Sequence, residues 1–403
     1  MRVLLANPGV QHAFRLAGEL HRRGALLRFH AAFAVGEDSW LGKIPLDWMP
    51  GPFGKAVRNR TVAGVPAAMV CSHPLLEGVA FLRRRLGVRD AEAFRARNRA
   101  FQRAISDREV RRADAIVGTD TAGEILAERA TAAGKPFVLS RSIAEGRAWN
   151  AVARQIRSRW PDWGDAIDEK SPGDLLSEDR EHELSRQIVV PSRFVSRTLL
   201  DVGVPQQKVR INPFGCSLPN HPLPPRDYSG RLIFLFAGTI SARKGVPVLL
   251  DAWRRLAAKD AELWLAGPGK PPHSALAGLR DVCWPGGMSH DRLREIYGKA
   301  HVFVFPSLFE GLAKVLGEAA GAGLPLIATP ESGAEEIVSD GVNGFLVPAG
   351  GTEALEAKMR WCLENRDRLP EMGRAACATA ERVSWEAYGE RWWWDFGGGS
   401  GSV

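Results

Sequence analysis

A chain of 403 residues with 45% hydrophobic and 25% charged side chains has the composition of a folded protein of about two or three domains, which excludes a disordered, collagen-like or coiled-coil chain. Its net charge of +8 is unevenly placed: residues 1–218 hold 34 Lys/Arg against 24 Asp/Glu, and the remainder 20 against 22. A basic first half suits an anionic partner or a membrane surface, and equally suits solvated arginines on helices. No apolar run approaches the ~20 residues of a membrane span, and Arg2-Val3-Leu4-Leu5-Ala6 is too short for a signal core, so a cytoplasmic protein is expected. Cys71, Cys216, Cys283, Cys362 and Cys377 are far apart, without a CxxC pair. Their spacing suggests neither a disulfide frame nor a zinc cluster, and packing is their expected role.

The chain opens with a strand at Val3-Leu4-Leu5-Ala6, a turn at Asn7-Pro8-Gly9-Val10, and an amphipathic helix from His12 to Arg23 stopped by Gly24. The same grammar returns at Ala115–Gly118 before a helix to Ala133, at Phe137–Leu139, and at Gln187–Val190 before a helix after Ser192. Alternating strands and helices imply an α/β fold with parallel sheets. Six residues between Asn212 and Pro225, namely Pro213, Gly215, Pro219, Pro222, Pro224 and Pro225, mark a linker. Beyond it the strands restart at Leu232–Phe236, Leu263–Ala266, His301–Phe305, Pro325–Ala328 and Gly344–Val347, a second α/β sheet. A last helix is expected from about Ser384 to Phe396, followed by a flexible Gly/Ser tail.

Two constellations carry chemistry. In Phe305-Pro-Ser-Leu-Phe-Glu310-Gly311-Leu312-Ala313-Lys314-Val-Leu-Gly-Glu318 a buried strand runs through a turn into a helix, whose N-terminus offers free amides and a dipole to an anion at the strand's carboxyl end. Read as helix, the eight residues from Glu310 to Glu318 separate the carboxylates by up to about 12 Å, wider than the ~5–9.5 Å of a glycosidase pair. That spacing suits a ligand with hydroxyls at both ends and phosphate between, such as a sugar nucleotide, although two solvated glutamates on a surface helix would read the same way. The second constellation is Phe236-Ala237-Gly238-Thr239-Ile240-Ser241-Ala242-Arg243-Lys244-Gly245, where adjacent cations can stabilise a departing diphosphate. Taken alone, exposed charges in a basic loop explain such a pair.

Together these residues resemble the GT-B glycosyltransferases, specifically glycosyltransferase family 4, with its Glu-x7-Glu motif and basic Lys-Gly loop. The resemblance extends from about Ile188 to Pro348, through Val190-Pro191-Ser192-Arg193-Phe194-Val195, Phe214-Gly215, Leu265-Ala266-Gly267, Gly321-Ala322-Gly323-Leu324-Pro325 and Asp340-Gly341-Val342-Asn343-Gly344, and is looser over 1–187. It implies two Rossmann-like domains facing across a cleft: residues 1–214 for the acceptor, completed by the C-terminal helix 382–396, and 215–381 for the nucleotide sugar, with 397–403 as tail. It implies transfer of a hexose from a nucleotide diphosphate sugar to a hydroxyl of a glycan, lipid-linked intermediate or small aglycone. The reaction would retain configuration and need neither metal nor other cofactor. Glu310 would contact the donor sugar, Arg243 and Lys244 the diphosphate, and Glu318 the ribose, with Gly238 and the backbone of Gly311, Leu312 and Ala313 completing the donor site.

The chain departs from that pattern in places. Thr239 follows the glycine where many relatives have Arg, and the first turn offers only Gly9 for close approach to the donor. The loop Thr119-Asp120-Thr121 stands where a histidine is common; Asp120 is then a candidate acceptor contact, or an ordinary helix cap. His12 and His73 are further acceptor candidates that a structural role would explain as well. The run Phe94–Ile105 could meet anionic lipid, with a core-facing Phe94/Phe101/Ile105 stripe the preferred explanation, and Trp392-Trp393-Trp394 is expected to pack on the first domain. The glycine pairs at Gly267 and Gly321 lack the third glycine of GxGxxG, which counts against a dinucleotide oxidoreductase. No nucleic acid partner is expected. A sugar-nucleotide epimerase or hydrolase on the same fold and a non-catalytic sugar-nucleotide sensor are the alternatives.

Overall fold

The computed structural model describes residues 1–9, 12–39, 60–164, 167–216, 218 and 226–395. Most of the proposed linker (217 and 219–225), Val10 of the first turn and the tail 397–403 lie outside the described residues. In the first half, the strands are β1 (Val3–Ala6), β2 (Leu26–Ala31), β3 (Val35–Gly36), β4 (Thr61–Val62), β5 (Val70–Ser72), β6 (Ala115–Thr119), β7 (Phe137–Ser140), β8 (Gln187–Val190) and β9 (Val209–Ile211). All but β3 and β4, which pair with each other, form one parallel sheet in the order β5-β2-β1-β6-β7-β8-β9. Every residue of β1 and β6 is buried, because helices cover both faces of a parallel sheet.

Helices α1 (His12–Arg22), α2 (Pro74–Arg85), α3 (Asp90–Ala104), α4 (Asp107–Arg112), α5 (Glu124–Ala132), α6 (Gly146–Arg159), α7 (Pro172–Leu184) and α8 (Arg193–Leu200) alternate with these strands. The second sheet contains β10 (Leu232–Ala237), β11 (Ala261–Ala266), β12 (Val282–Gly286), β13 (Val302–Phe305), β14 (Leu326–Ala328) and β15 (Gly344–Leu346), in the parallel order β12-β11-β10-β13-β14-β15. Its helices include α9 (Val246–Leu256), α10 (His290–Lys299), α11 (Lys314–Gly321), α12 (Thr352–Glu364), α13 (Leu369–Arg382) and α14 (Trp385–Asp395).

Strand order reverses between β1 and β6 in one sheet and between β10 and β13 in the other. A doubly wound sheet opens its ligand crevice outside the carboxyl ends of such strands. The Arg243-Lys244 loop follows β10 and the Glu310 loop follows β13, so the second switch point brings together the two constellations read from the sequence.

The final helix crosses to the first domain: α14 packs on α1, Asn212 Nδ2 donates to the Tyr388 carbonyl at 3.1 Å, and Tyr388 and Trp392 are buried. The side chains of Trp393 and Trp394 lie outside the described residues. In α3, Phe101 and Ile105 (just past its end) are core residues, whereas Phe94 is exposed beneath the guanidinium groups of Arg84 and Arg97 at 5.4 and 5.0 Å, which corrects the expected three-residue stripe. Strands β2, β5, β9 and β12, and the short pair β3 and β4, are not among the strands read from the sequence. Arg28 and His30 break the apolar run of β2, and β5, β9 and β12 are short or end strands whose residues stay half-exposed or exposed.

Candidate functional site

The site starts from β13, whose four residues are all buried. Its loop is held against the basic loop by backbone: the Leu308 amide donates to the Arg243 carbonyl at 2.8 Å. Gly245 has φ +73°, and a Cβ there would overlap the Pro306 carbonyl, so only glycine permits this approach. The result is a convergence on one atom. Glu310 Oε1 accepts from Arg243 Nη1 at 2.5 Å and from Ser307 Oγ at 3.2 Å, and the Lys244 ammonium forms an ion pair with it. Arg243 Nη1 also donates to the Phe309 carbonyl at 2.8 Å. Burial lowers the Lys244 pKa, opposed by the Glu310 carboxylate. None of the described contacts uses Glu310 Oε2.

Helix α11 begins only at Lys314, so residues 310–313 are not helical. The rise-per-residue estimate of the carboxylate separation therefore fails for the first half of that span. The Ala313 amide donates to the Ser332 carbonyl at 3.0 Å, which removes it from the expected set of ligand-binding amides. Those of Gly311, Leu312, Lys314 and Val315 have no acceptor among the described residues, so the helix start still presents donors to an anion. Glu318, one turn into α11, is half-buried; burial raises its pKa, and the Tyr297 hydroxyl donates to it at 3.3 Å.

The first domain closes over this loop. A Cβ on Gly311 would overlap the Ser142 carbonyl oxygen, and the Gly311 carbonyl accepts from Ser192 Oγ at 2.6 Å. The Phe309 ring meets Trp149 and Phe194 at 5.2 and 5.8 Å between centroids. Ser142 is fixed in turn by Asp120, whose Oδ1 accepts from its amide at 3.2 Å and its hydroxyl at 3.0 Å. Asp120 thus anchors the loop that touches Gly311, and burial raises its pKa. Behind it lies Arg141, which donates to the carbonyls of Ile143 and Ala144 and to Glu178 Oε2 at 2.8 Å. Sequence reasoning missed Ser142, Arg141 and Glu178, which belong to no spaced motif, and gave no role to Ser307, which lies within the stretch leading to Glu310.

The remaining candidates are scattered. Gly238 ends β10 at the switch point, its amide bonded to Ala266 O at 2.9 Å. Gly9 lies beyond β1 with its amide donating to Asn7 Oδ1 at 2.7 Å, and Asn7 Nδ2 is buried without a described partner. His12 is enclosed: its Nε2 is 2.9 Å from Ser140 Oγ and its ring stacks on Phe214 at 4.6 Å. Burial, with Lys314 adding to it, takes its pKa down to about 3. A ring held neutral inside the domain junction presents no free face, which corrects its reading as an acceptor contact. His73 is half-exposed and contacts His30 and Cys71 rather than the loops around Asp120.

Residues 231–365 match the family model of glycosyl transferases group 1. A GDP-mannose-dependent alpha-mannosyltransferase of Corynebacterium glutamicum is 29% identical over 153 residues, covering 38% of this chain and 36% of that protein. A D-inositol 3-phosphate glycosyltransferase of Segniliparus rotundus is 32% identical over 168 residues, 38% of this chain and 37% of that protein. The matches thus span little more than a third of these relatives' own length. Among solved structures, HepE of Anabaena in complex with UDP and glucose superposes with a TM-score of 0.66 at 14% identity, covering 99% of this chain and all of that one. Sucrose-phosphate synthase of Thermosynechococcus elongatus gives 0.64 at 17% identity, with 98% of each chain covered. The chain has the GT-B fold.

Proposed function

We propose that the protein is a glycosyltransferase that moves a hexose from a nucleotide diphosphate sugar to an acceptor hydroxyl, with retention and without a metal at the diphosphate. The observation that carries this reading is the meeting of Arg243 and Lys244 on Glu310 Oε1. Two fixed cations face one carboxylate, leaving a net positive charge beside the amides of Gly311, Leu312, Lys314 and Val315, where a diphosphate fits. Glu310 Oε2 remains for sugar hydroxyls, and Glu318 lies further along the helix for the ribose. As the anomeric C–O bond breaks, charge builds on the leaving phosphate, where Arg243 and Lys244 stabilise it in a half-buried site. The acceptor oxygen bonds to the anomeric carbon on the vacated face, and its proton passes to a phosphate oxygen of the leaving group. Solved structures of HepE in complex with UDP and with UDP-glucose support a donor of this class.

A lipid-linked or anionic acceptor is supported by α2. Leu75, Val79, Leu82 and Leu86 form one helical stripe, and Leu75 and Leu86 are 82% and 74% exposed. Arg83, Arg84, Arg85 and Arg89 flank it, the pattern of a helix lying on an anionic lipid surface. Among the described residues no helix is long and apolar enough to cross a membrane.

The test is a thermal-shift screen of nucleotide sugars followed by product analysis with and without acceptor. Transfer that requires an acceptor and is lost in Glu310→Gln supports the reading. Turnover without acceptor would favour a hydrolase or epimerase, and binding without turnover a sensor. Vesicle sedimentation checks the acceptor side: stronger binding to anionic than to neutral vesicles, weakened by Leu82→Glu, is expected.

A further inference from the structure

We infer that His30, Cys71 and His73 form a binding site for a zinc-type divalent metal at the edge of the first sheet, apart from the donor cluster. The parallel register places Cys71 of β5 directly beside His30 of β2. His73, two residues beyond Cys71, returns to the same face. His30 Nδ1 stands 3.2 Å from His73 Nε2, and Cys71 Sγ stands 3.7 Å from that same nitrogen. Tetrahedral zinc, with Zn–N near 2.0–2.1 Å and Zn–S near 2.3 Å, needs N···N edges of about 3.3 Å and N···S edges of about 3.6 Å. Two edges of the tetrahedron are therefore preformed. Ligand atoms of all three residues lie within 4.8 Å of one another, so a modest side-chain rotation closes the third edge.

The surroundings fit a liganding imidazole. Metal binding through His30 Nδ1 puts the ring proton on Nε2, which is buried, has no hydrogen-bond partner among the described residues, and lies 3.5 Å from Glu109 Oε2. A carboxylate behind a metal-bound histidine orients the ring and raises its basicity. Glu109 is itself fixed by the Ser106 hydroxyl at 2.7 Å and approached by Arg28 at 3.4 Å. Cys71 and His73 are half-exposed, which gives a metal a path in and leaves a fourth position for water. One thiolate and two imidazoles select zinc over magnesium or calcium. The bound ion would tie β5, an edge strand paired among the described residues only to β2, to the start of α2, and its ligands are 41 residues apart at the widest step of the sequence, outside any finger spacing.

The test uses the full chain without a histidine tag, dialysed against Zn2+ and separately against Co2+ as a spectroscopic probe. One equivalent of Zn2+ per chain, a rise in melting temperature with added Zn2+, and a thiolate-to-cobalt charge-transfer band are expected. Cys71→Ser should abolish the band, and His73→Ala should weaken zinc binding at least about tenfold, with Glu109→Gln weakening it by about 10–100-fold. Cys283→Ser, at an exposed thiol elsewhere, should change neither reading. Melting of each variant without metal reports whether it folds, and the stoichiometry and cobalt band of the unaltered protein decide the matter if one does not. Uptake well below one equivalent, a cobalt spectrum without the thiolate band, or zinc binding unchanged in folded Cys71→Ser and His73→Ala would overturn the proposal.

Discussion

Arg141 in the first domain and the Arg243–Lys244 pair in the second both neutralise carboxylates at strand ends, and they do so in opposite surroundings. Arg141 is 1% exposed, its nitrogens all engaged by carbonyls, Glu178 and His182. The buried groups there are strongly shifted: against burial, which would raise it, Arg141 and Lys170 hold the Glu178 carboxyl down at about 2, while burial pushes Glu181 up to about 8. Arg243 and Lys244 instead share one oxygen of one carboxylate and keep side-chain surface open, 26% and 14%. A sealed cluster holds a loop in place. An accessible one can turn its charge to a ligand.

Breaking the sealed cluster should have the largest effect. Arg141→Leu removes one of the two cations on Glu178 together with the bonds to the Ile143 and Ala144 carbonyls, and the loss of a partner from a buried ionic cluster costs about 3–5 kcal/mol, read as a fall in the urea midpoint. In the open cluster the loss should appear in activity instead. Lys244→Ala should lower kcat about 10²–10³-fold while leaving the denaturation midpoint near that of the parent, and equal loss of stability would show that the two clusters do not differ in kind.

A pH titration sharpens the contrast. The Glu181 carboxyl, which accepts from the amides of Thr121 and Gly123, is pushed up to about 8 by burial when folded and returns to its ordinary 4.5 when unfolded. Between those values the folded state binds more protons, so this group's stabilisation is complete below about 4.5 and is lost as pH rises through about 8. Glu181→Gln should flatten that part of the stability profile in urea melts. The smallest effect belongs to the cross-domain pair Arg197–Glu335, 2.8 Å apart with the arginine 48% exposed. Arg197→Ala should cost about 0.2–1 kcal/mol and less at high salt, measured by the same melts.

The sequence by itself determined the central strands, their alternation with helices, and the two loops that hold Glu310 and Arg243–Lys244, because apolar runs and turn residues act over a few neighbours. It also placed Glu318 on a helix, yet misjudged where that helix begins, since the Ala313 amide is taken by Ser332, a residue of another loop. Only the tertiary structure decided that Arg243 and Lys244 meet Glu310 on a single oxygen, that Gly311 has no room for a Cβ beside Ser142, and that His12 faces inward while His30, Cys71 and His73 converge. Each of these depends on strand order and register. Such pairings join residues distant in the chain, and no local preference of either partner records them.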